Sequence, residues 1–405
     1  MTTSLFPRAV PRRTIHLYRG EWRDLLRGAR ADAGEAQATL AAFEDAAARH
    51  LGVTHAIATG SGRLGLRLLV GALDLPAGAS VLMPAYTDES VPEAILRQGL
   101  QPVFVDVDRL SHLMEPAAAE RALRPDTRAV LATHLFGAPA DLDGFEALAQ
   151  RGGLVLLEDC AHAIDAVSSG RRCGSVGRGA LFSFVVTKAV NAFGGGLVST
   201  SDAAIAQQLR DQLADLPMPN ALGLARRVAV GCALAGVTSP PLFGAVAMPA
   251  LRWLERAGGL GPAAIYDRLV RPGTVNAHVD TRMSGVQARV ALAQLRRLDA
   301  TQARRRQIAA QLVAALPRGV QAQLSRPGDR HAVYFLVVTC DAPEELKRAL
   351  LRHGVDVGRH VMRNVGGADY PNAEWLVHHS VQLPVHPSLA DRDVDRVVRA
   401  LRAVG

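Results

Sequence analysis

The sequence predicts an α/β protein with a mostly parallel central sheet, followed by a smaller α+β domain. Between about residues 40 and 200, helical patterns alternate with short apolar, β-branched runs, which is typical of strand–helix–strand units. After residue 280 a long amphipathic helix leads into an apolar strand and further helices. A chain of 405 residues also exceeds what one hydrophobic core usually supports, which favours two domains.

The candidate strands of the first region are apolar along their whole length, as expected of strands covered by helices on both faces. Ligands of such sheets bind at the carboxyl ends of the strands, so we expect the functional residues there. The predicted strands span residues 80–83, 102–106, 129–135, 154–158, 181–185 and 197–200.

We place the large domain at residues 1–275 and the small domain at 276–405. The small domain is expected to contain a helix over 284–316 ended by Pro317, a strand over 332–339, a helix over 342–353 with Gly354 as its stop, and a helix over 390–404.

An apolar insertion of about residues 217–262 interrupts this plan. No charged residue occurs from 228 to 251, and Pro240 and Pro241 break the segment into two short pieces. Three interpretations stay open: a packed helical insertion or subunit contact, a peripheral membrane contact, and a membrane span.

Composition narrows the functional classes. The net charge of +8 comes from arginines scattered among acids, and aromatic residues make up only 4%, so we expect an anionic small substrate rather than nucleic acid. The four cysteines are widely spaced, which predicts reduced thiols without a metal site. The first twenty residues have no apolar stretch of the length of a secretory signal, so we expect a cytoplasmic protein.

Two residues at predicted strand ends point to a specific chemistry. Lys188 and Lys347 are the two lysines among 46 basic residues, and an arginine cannot replace a lysine that forms a Schiff base. Lys347 belongs to a helical pattern typical of an exposed face. Lys188 follows one predicted strand, and Asp159 follows another. A lysine and a carboxylate at one sheet edge are what pyridoxal phosphate requires, although Asp159 alone could be a helix cap and Lys188 alone a surface charge.

A phosphate site should accompany this pair. The small residues from Thr59 to Gly62 open a predicted helix, whose first N–H groups and dipole favour an anion. Ser183, near the end of the strand before Lys188, can add a hydroxyl donor.

These stretches resemble the DegT/StrS family of aminotransferases, and seven blocks follow the family's order over most of residues 40–200 and 280–400. The blocks are HAIATGSGRLGLRLL, VLMPAYTDESVPEAILRQGLQPVFVDVD, THLFGAPADLDGFEALAQRGGLVLLEDCAHAIDA, GRRCGSVGRGALFSFVVTK, GGLVSTSD, RMSGVQARVALAQLRRLD and LPVHPSL.

The resemblance implies an aspartate-aminotransferase-like fold, known as fold type I, and a pyridoxal 5'-phosphate-dependent transaminase. By the same resemblance, the enzyme is a homodimer that transfers an amino group, with glutamate as donor, to a keto group of a nucleotide-linked sugar in polysaccharide, glycan or natural-product biosynthesis. The implied roles are Schiff-base formation and acid/base catalysis by Lys188, ring-nitrogen binding by Asp159, ring packing by Ala161, approach to the 3-oxygen by His162, and phosphate binding by Ser183 with the amides of Gly62 and Arg63.

The sequence departs from the family pattern at three positions. Arg63 stands where the family has threonine, and Asp88 where it has an aromatic residue that stacks on the cofactor, so we expect Tyr86 to take that role. Asp280 stands near a family asparagine that reaches the partner's phosphate. A carboxylate there would repel a phosphate unless an arginine such as Arg282 intervenes.

Three alternatives remain. The insertion could bring the same cofactor to a lipid-linked or acyl substrate at a membrane. A 3-dehydratase of this fold has histidine in place of the lysine, which Lys188 contradicts. A catalytically silent regulatory homologue would keep the fold without the reaction, which the intact pair of Asp159 and Lys188 disfavours.

Overall fold

The structure is a computed structural model that describes residues 9–249, 253, 280–359 and 361–404. Its strands are β1 (His55–Thr59), β2 (Ser80–Pro84), β3 (Tyr86–Thr87), β4 (Gln101–Val105), β5 (Thr127–Thr133), β6 (Val155–Asp159), β7 (Val167–Ser168), β8 (Arg171–Arg172), β9 (Gly179–Ser183), β10 (Gly196–Thr200), β11 (Gln321–Ala322), β12 (Leu336–Thr339), β13 (Gly358–Arg359), β14 (Arg363–Asn364) and β15 (Ser380–Leu383).

The described helices are α1 (Glu21–Arg30), α2 (Ala33–Leu51), α3 (Gly62–Gly71), α4 (Ser90–Leu96), α5 (Pro116–Arg121), α6 (Leu142–Gly152), α7 (Ala203–Ala214), α8 (Ala221–Val237), α9 (Pro240–Leu242), α10 (Gly285–Leu295), α11 (Leu298–Val313), α12 (Pro343–Arg352), α13 (Pro371–His379) and α14 (Asp391–Val404). A π-helical turn, Phe243–Ala247, continues α9.

A seven-stranded sheet in the order β1-β10-β9-β6-β5-β2-β4 forms the centre of the large domain. The pairs β9–β6, β6–β5, β5–β2 and β2–β4 are parallel, whereas β10 runs antiparallel to both of its neighbours. The predicted mostly parallel sheet is therefore confirmed, and β1 is an additional strand that the sequence pattern did not reveal.

Both faces of this sheet are buried, which explains the unbroken apolar pattern of its strands. Leu82 and Val130 belong to one hydrophobic cluster, while Val81 and Leu131, one residue away along the same strands, belong to a second cluster. Helices cover the two faces, so functional side chains can enter only at the strand ends.

The second sheet is antiparallel, four-stranded and ordered β11-β12-β15-β13, with its own hydrophobic cluster. Val10 pairs with Val355 and is buried in this cluster, so the N-terminal segment packs with C-terminal elements. A two-stranded sheet of β3 and β14 joins the two parts of the molecule.

The helix predicted over 284–316 is in fact two helices, α10 and α11, separated by a turn at Arg296 and Arg297. The reason is that the two halves pack on different cores. Leu295 lies in the cluster of the large sheet, whereas Ile308 lies in that of the small sheet. The boundary expected at residue 276 thus lies ahead of a helix whose apolar face packs on the large domain.

The described part of the apolar insertion contains α8, α9 and the π-helical turn; residues 250–252 and 254–262 lie outside the described residues. None of the described helices is by itself long and apolar enough to cross a membrane. Ala221–Val237 and Pro240–Ala247 meet that criterion only when joined, and they are bent by 66°.

Candidate active site

A cavity of about 410 Å³ opens at the carboxyl ends of β1, β5, β6 and β9. The edge of the sheet brings together residues that are far apart in the chain. Of the site residues predicted from the sequence, those that line this cavity are Gly62, Arg63, Asp159, Ala161, His162, Ser183 and Lys188.

Asp159, the last residue of β6, lines the cavity from a buried position with 6% of its surface exposed. Its Oδ1 accepts a hydrogen bond from the backbone N–H of Ala161 at 2.9 Å. Burial raises the pKa of Asp159, and the Ala161 N–H and the positive charge of Lys188 counteract part of this shift. A buried carboxylate of this kind can form a strong hydrogen bond to a protonated ring nitrogen.

The neighbouring carboxylate, Glu158, has a structural role that sequence reasoning missed. Its oxygens accept hydrogen bonds from the N–H groups of Gly174, Val176 and Gly177 at 2.7–2.9 Å, and it lies 3.1 Å from Nε2 of His134. Burial alone would raise the pKa of Glu158, but these hydrogen bonds outweigh burial and lower it. Glu158 therefore anchors the loop before β9 from within the core.

The strand predicted over 181–185 ends at Ser183, so Lys188 lies in a loop several residues beyond the end of β9. The chain leaves the sheet where Phe184 exchanges backbone hydrogen bonds with Gly194 and Gly195, which closes a loop over residues 184–195. We call this segment the lysine loop. It carries Lys188 into the cavity beyond the edge of the sheet.

An aromatic group from the second part of the molecule meets the lysine loop. The Nζ of Lys188 lies 4.7 Å from the ring centre of Tyr334, and the Tyr334 hydroxyl lies 3.1 Å from Oγ1 of Thr187. Tyr334 also contacts His162, whose ring stacks on the Tyr334 ring with centres 4.3 Å apart. Tyr334 therefore restricts both the lysine side chain and the histidine ring.

His162 is both packed and exposed to the cavity. Its Nδ1 accepts a hydrogen bond from the backbone N–H of Phe136 at 3.2 Å, so a neutral ring carries its proton on Nε2. Burial lowers the pKa of His162 well below its ordinary value, and the charges of Lys188 and Arg13 lower it further. The neutral ring can donate one hydrogen bond to a ligand.

The start of α3 lies so close to β9 and β10 that glycine is required. A Cβ on Gly62 would lie 3.0 Å from Cβ of Ser183, and a Cβ on Gly196 would lie 2.5 Å from the backbone nitrogen of Gly62. The Ser61 hydroxyl caps the helix by accepting an N–H of the first turn at 3.2 Å. The remaining first-turn amides, including that of Arg63, form the positive end of the helix dipole. With the hydroxyl of Ser183 beside them, these groups fit a phosphate.

A sequence model of the DegT/DnrJ/EryC1/StrS aminotransferase family matches residues 20–223 and 272–402. The chain belongs to this family. The gap between the matched stretches overlaps the apolar insertion expected at about 217–262, so the insertion is where this aminotransferase departs from the family pattern.

Solved aminotransferases share the fold over almost the whole chain. DesV of S. venezuelae, solved in complex with a ketimine intermediate, is 26% identical with a TM-score of 0.73 and covers 95% of this chain and 93% of its own. DesI, solved with its TDP-sugar product, is 27% identical with a TM-score of 0.71 and covers 98% and 92%. TlmJ of Streptoalloteichus hindustanus, at 24% identity, 99% of both chains and a TM-score of 0.74, shows the fold alone. The expected family, fold type I and reaction class are confirmed.

One predicted site residue of the aminotransferase lies outside the cavity. Tyr86 is fully buried in β3, and its ring meets that of Phe136 edge to face at 6.3 Å. The residues that line the cavity at this point are Thr87 and Asp88. The expectation that Tyr86 stacks on a cofactor is therefore wrong, because its pairing in β3 turns the ring towards the core between the two sheets.

Asp280 lines the cavity, and its charge is balanced by an arginine other than the expected one. Nη2 of Arg67 lies 2.6 Å from Oδ2 of Asp280, whereas the backbone N–H of Arg282 is bonded to the carbonyl of Pro217. Arg67 follows Arg63 by one turn of α3, so both arginines lie on the same side of the helix and both line the cavity. The carboxylate at 280 thus need not repel an anion.

The sequence pattern missed Tyr334 because it predicted a strand over 332–339, which begins only at Leu336. Val333 has a φ of 46°, an unusual conformation for a β-branched residue, and the chain here is bonded to Gly137 and Phe136 instead of to a strand. Arg13 was also missed; it stacks on Phe335 at 4.2 Å. Neither residue has a local motif, since each reaches the aminotransferase cavity from a remote part of the chain.

Proposed function

We propose that the cavity binds pyridoxal 5'-phosphate, and that the enzyme transfers an amino group from glutamate to a keto group of a nucleotide-linked sugar. The observation that supports the cofactor is the placement of Asp159 and Lys188 in one cavity beside the start of α3. When bound, this cofactor supplies an electron sink for the carbon that loses or gains the amino group.

Each residue of the site can then be given a role. The amine of Lys188 supplies the covalent attachment point and moves a proton at Nζ in both halves of the reaction. Asp159 holds a proton on the ring nitrogen, and His162 donates to the ring oxygen through Nε2. Ala161 packs against the ring. The amides of Gly62 and Arg63 and the hydroxyl of Ser183 bind the phosphate.

The substrate class is inferred from relatives and from charge. DesI was solved with a TDP-sugar, and DesV with a ketimine intermediate. The cavity of this chain is lined by several arginines, which suit the diphosphate of a sugar nucleotide and the carboxylates of an amino donor. The product would enter polysaccharide, glycan or natural-product biosynthesis.

We also propose that the enzyme acts in the cytoplasm as a homodimer. Exposed apolar side chains of the insertion support an additional partner, since Leu222, Leu242 and Val246 all face solvent in the single chain. This surface, part of residues 217–262, would contact the second subunit, or through 228–251 the surface of a membrane.

The test is to incubate the protein, pyridoxal 5'-phosphate and glutamate with a panel of keto-sugar nucleotides and to measure 2-oxoglutarate. We expect release with at least one panel member and none without the cofactor. If no member supports release, the assigned acceptor is wrong. If the protein also fails to form a visible, borohydride-reducible cofactor adduct, the silent homologue is favoured instead.

A further inference from the structure

Helix α8 contributes one arginine to the cavity, although its sequence marks it only as part of the apolar insertion. Arg227 lines the cavity and is only partly exposed, whereas its neighbour Arg226 is exposed to solvent. Gly231, one turn further along the same side of α8, packs against the ring of Phe193 in the lysine loop. The packing of α8 on this loop therefore directs Arg227 inwards.

Three other arginines that line the cavity have side-chain partners within the chain. Arg67 pairs with Asp280, Arg97 pairs with Glu93, and Arg13 donates two hydrogen bonds to Gln382. Within the part of the chain that the structure describes, no carboxylate pairs with Arg227, and burial alone lowers its pKa. A partly desolvated guanidinium without a counter-charge is costly, and a bound anion would offset that cost.

The surroundings of Arg227 indicate which end of the cavity the anion would occupy. A Cβ placed on Gly194 would lie 3.4 Å from Nη1 of Arg227. The next residue, Gly195, donates its N–H to the carbonyl of Gly60 and pairs with Ser61. Arg227 therefore lies near the two glycines that pack beside the start of α3. The helix dipole there also attracts negative charge.

We propose that Arg227 binds an oxyanion, phosphate or carboxylate, of a molecule held in this cavity; which molecule supplies it rests on the function proposed above. A guanidinium suits this task because its planar pair of donors matches two oxygens of either group. Two sources share the chemistry: the phosphate of the cofactor, and the anionic group of a substrate.

The test compares Arg227→Gln with the matched control Arg226→Gln, which removes the same charge from the exposed side of α8. In one arm, cofactor-free protein is titrated with pyridoxal 5'-phosphate. In the other, cofactor-loaded protein is titrated by calorimetry with 2-oxoglutarate and with thymidine diphosphate. We expect Arg227→Gln to weaken binding about 10-fold or more in one arm, and Arg226→Gln to change it less than about 2-fold.

Loss in the first arm assigns the anion to the cofactor, and loss in the second assigns it to a substrate. Unchanged affinity for all three probes, or no binding of any of them by the parent protein, overturns the inference. Should Arg227→Gln not fold, Arg227→Lys decides, because it keeps the charge but loses the planar donors; equal affinities then overturn the inference. Every readout is binding, so a failed transamination assay would count against the proposed function and not against Arg227.

Discussion

The strand-end cavity and the exposed apolar side chains of the insertion differ in how their side chains are satisfied. In the cavity, Asp159 accepts an amide N–H and Lys188 lies against an aromatic ring, so the chain itself fixes both groups. In the insertion, Leu222 is 80% exposed and Val246 is 64% exposed. The contacts of the cavity side chains are thus fixed within the chain, whereas the exposed apolar side chains of the insertion have few contacts within it.

Among substitutions in the cavity and in the insertion, we expect the largest loss of activity from a change at Lys188. Lys188→Ala should abolish transamination and the borohydride-reducible cofactor, because no other group of the cavity offers a primary amine among the described residues. Lys347→Ala is the matched control, since Lys347 lies on α12 and pairs with Glu344 at 3.6 Å. Borohydride trapping followed by peptide mapping measures this. Label on a peptide containing Lys347 would contradict the assignment.

The next effect is expected at Asp159. Asp159→Asn should keep cofactor binding but lower kcat by about 100-fold or more, because an amide cannot hold the ring nitrogen in its protonated form. Cofactor content by absorbance and kcat by 2-oxoglutarate release separate the two results. Near-normal kcat would remove Asp159 from its role.

Stability provides a second readout for the same variant. The folded pKa of Asp159 is raised, so its contribution to stability is full below the unfolded pKa and is lost as pH rises through the folded value. At pH 7 the cofactor-free Asp159→Asn protein should therefore be at least as stable as the parent.

Glu158→Gln should show the opposite behaviour. The amide removes a charged acceptor of several buried N–H groups, which should cost about 3 kcal/mol in the free energy of unfolding at pH 7. Because the folded pKa of Glu158 is lowered, this contribution is present above the unfolded pKa of about 4.3 and is lost as pH falls through the folded value.

Urea unfolding of cofactor-free protein from pH 7 down to about pH 3 measures the difference between the parent and Glu158→Gln, so that the scan crosses the unfolded pKa of about 4.3. The difference should stay nearly constant down to about pH 4.3 and should shrink below it, as the pH falls towards the folded pKa of Glu158. A difference that also stays constant below about pH 4.3 would mean that the carboxylate charge of Glu158 does not contribute.

The contrast between these two carboxylates also shows what sequence can and cannot predict. Strand patterns placed Asp159 at a sheet edge, because apolar periodicity and chain direction determine where a strand ends. Spacing alone could not distinguish the role of Asp159 from that of Glu158. The backbone hydrogen-bond partners of Glu158 lie in the loop between β8 and β9, which no strand pattern locates. Tyr334 could not be found at all, because its position depends on the left-handed backbone of Val333 and not on a pattern.

The structure of the apolar insertion could be predicted only in part, for a different reason. Its composition predicted an apolar segment, but three interpretations fitted because the pattern does not name the surface on which each side packs. The structure resolves one side, through the contact of Gly231 with Phe193, and leaves the other exposed. Part of the segment, residues 250–252 and 254–262, lies outside the described residues.

The smallest effect is expected on that exposed side. Leu222→Ala should change the free energy of unfolding of the single chain by less than about 0.5 kcal/mol, because the side chain is already in water. Leu224→Ala, two residues along α8, should cost about 2 kcal/mol or more, since Leu224 is 8% exposed. Urea unfolding at low protein concentration measures both.

The same pair tests for the second subunit that we propose to cover this face. If a homodimer buries Leu222, the Tm of the parent protein should rise with protein concentration, and Leu222→Ala should weaken that dependence. A Tm that rises with anionic lipid vesicles, and not with protein concentration, would assign the face to a membrane surface instead. A Tm that responds to neither would contradict both partners and leave the exposed leucines as ordinary surface residues.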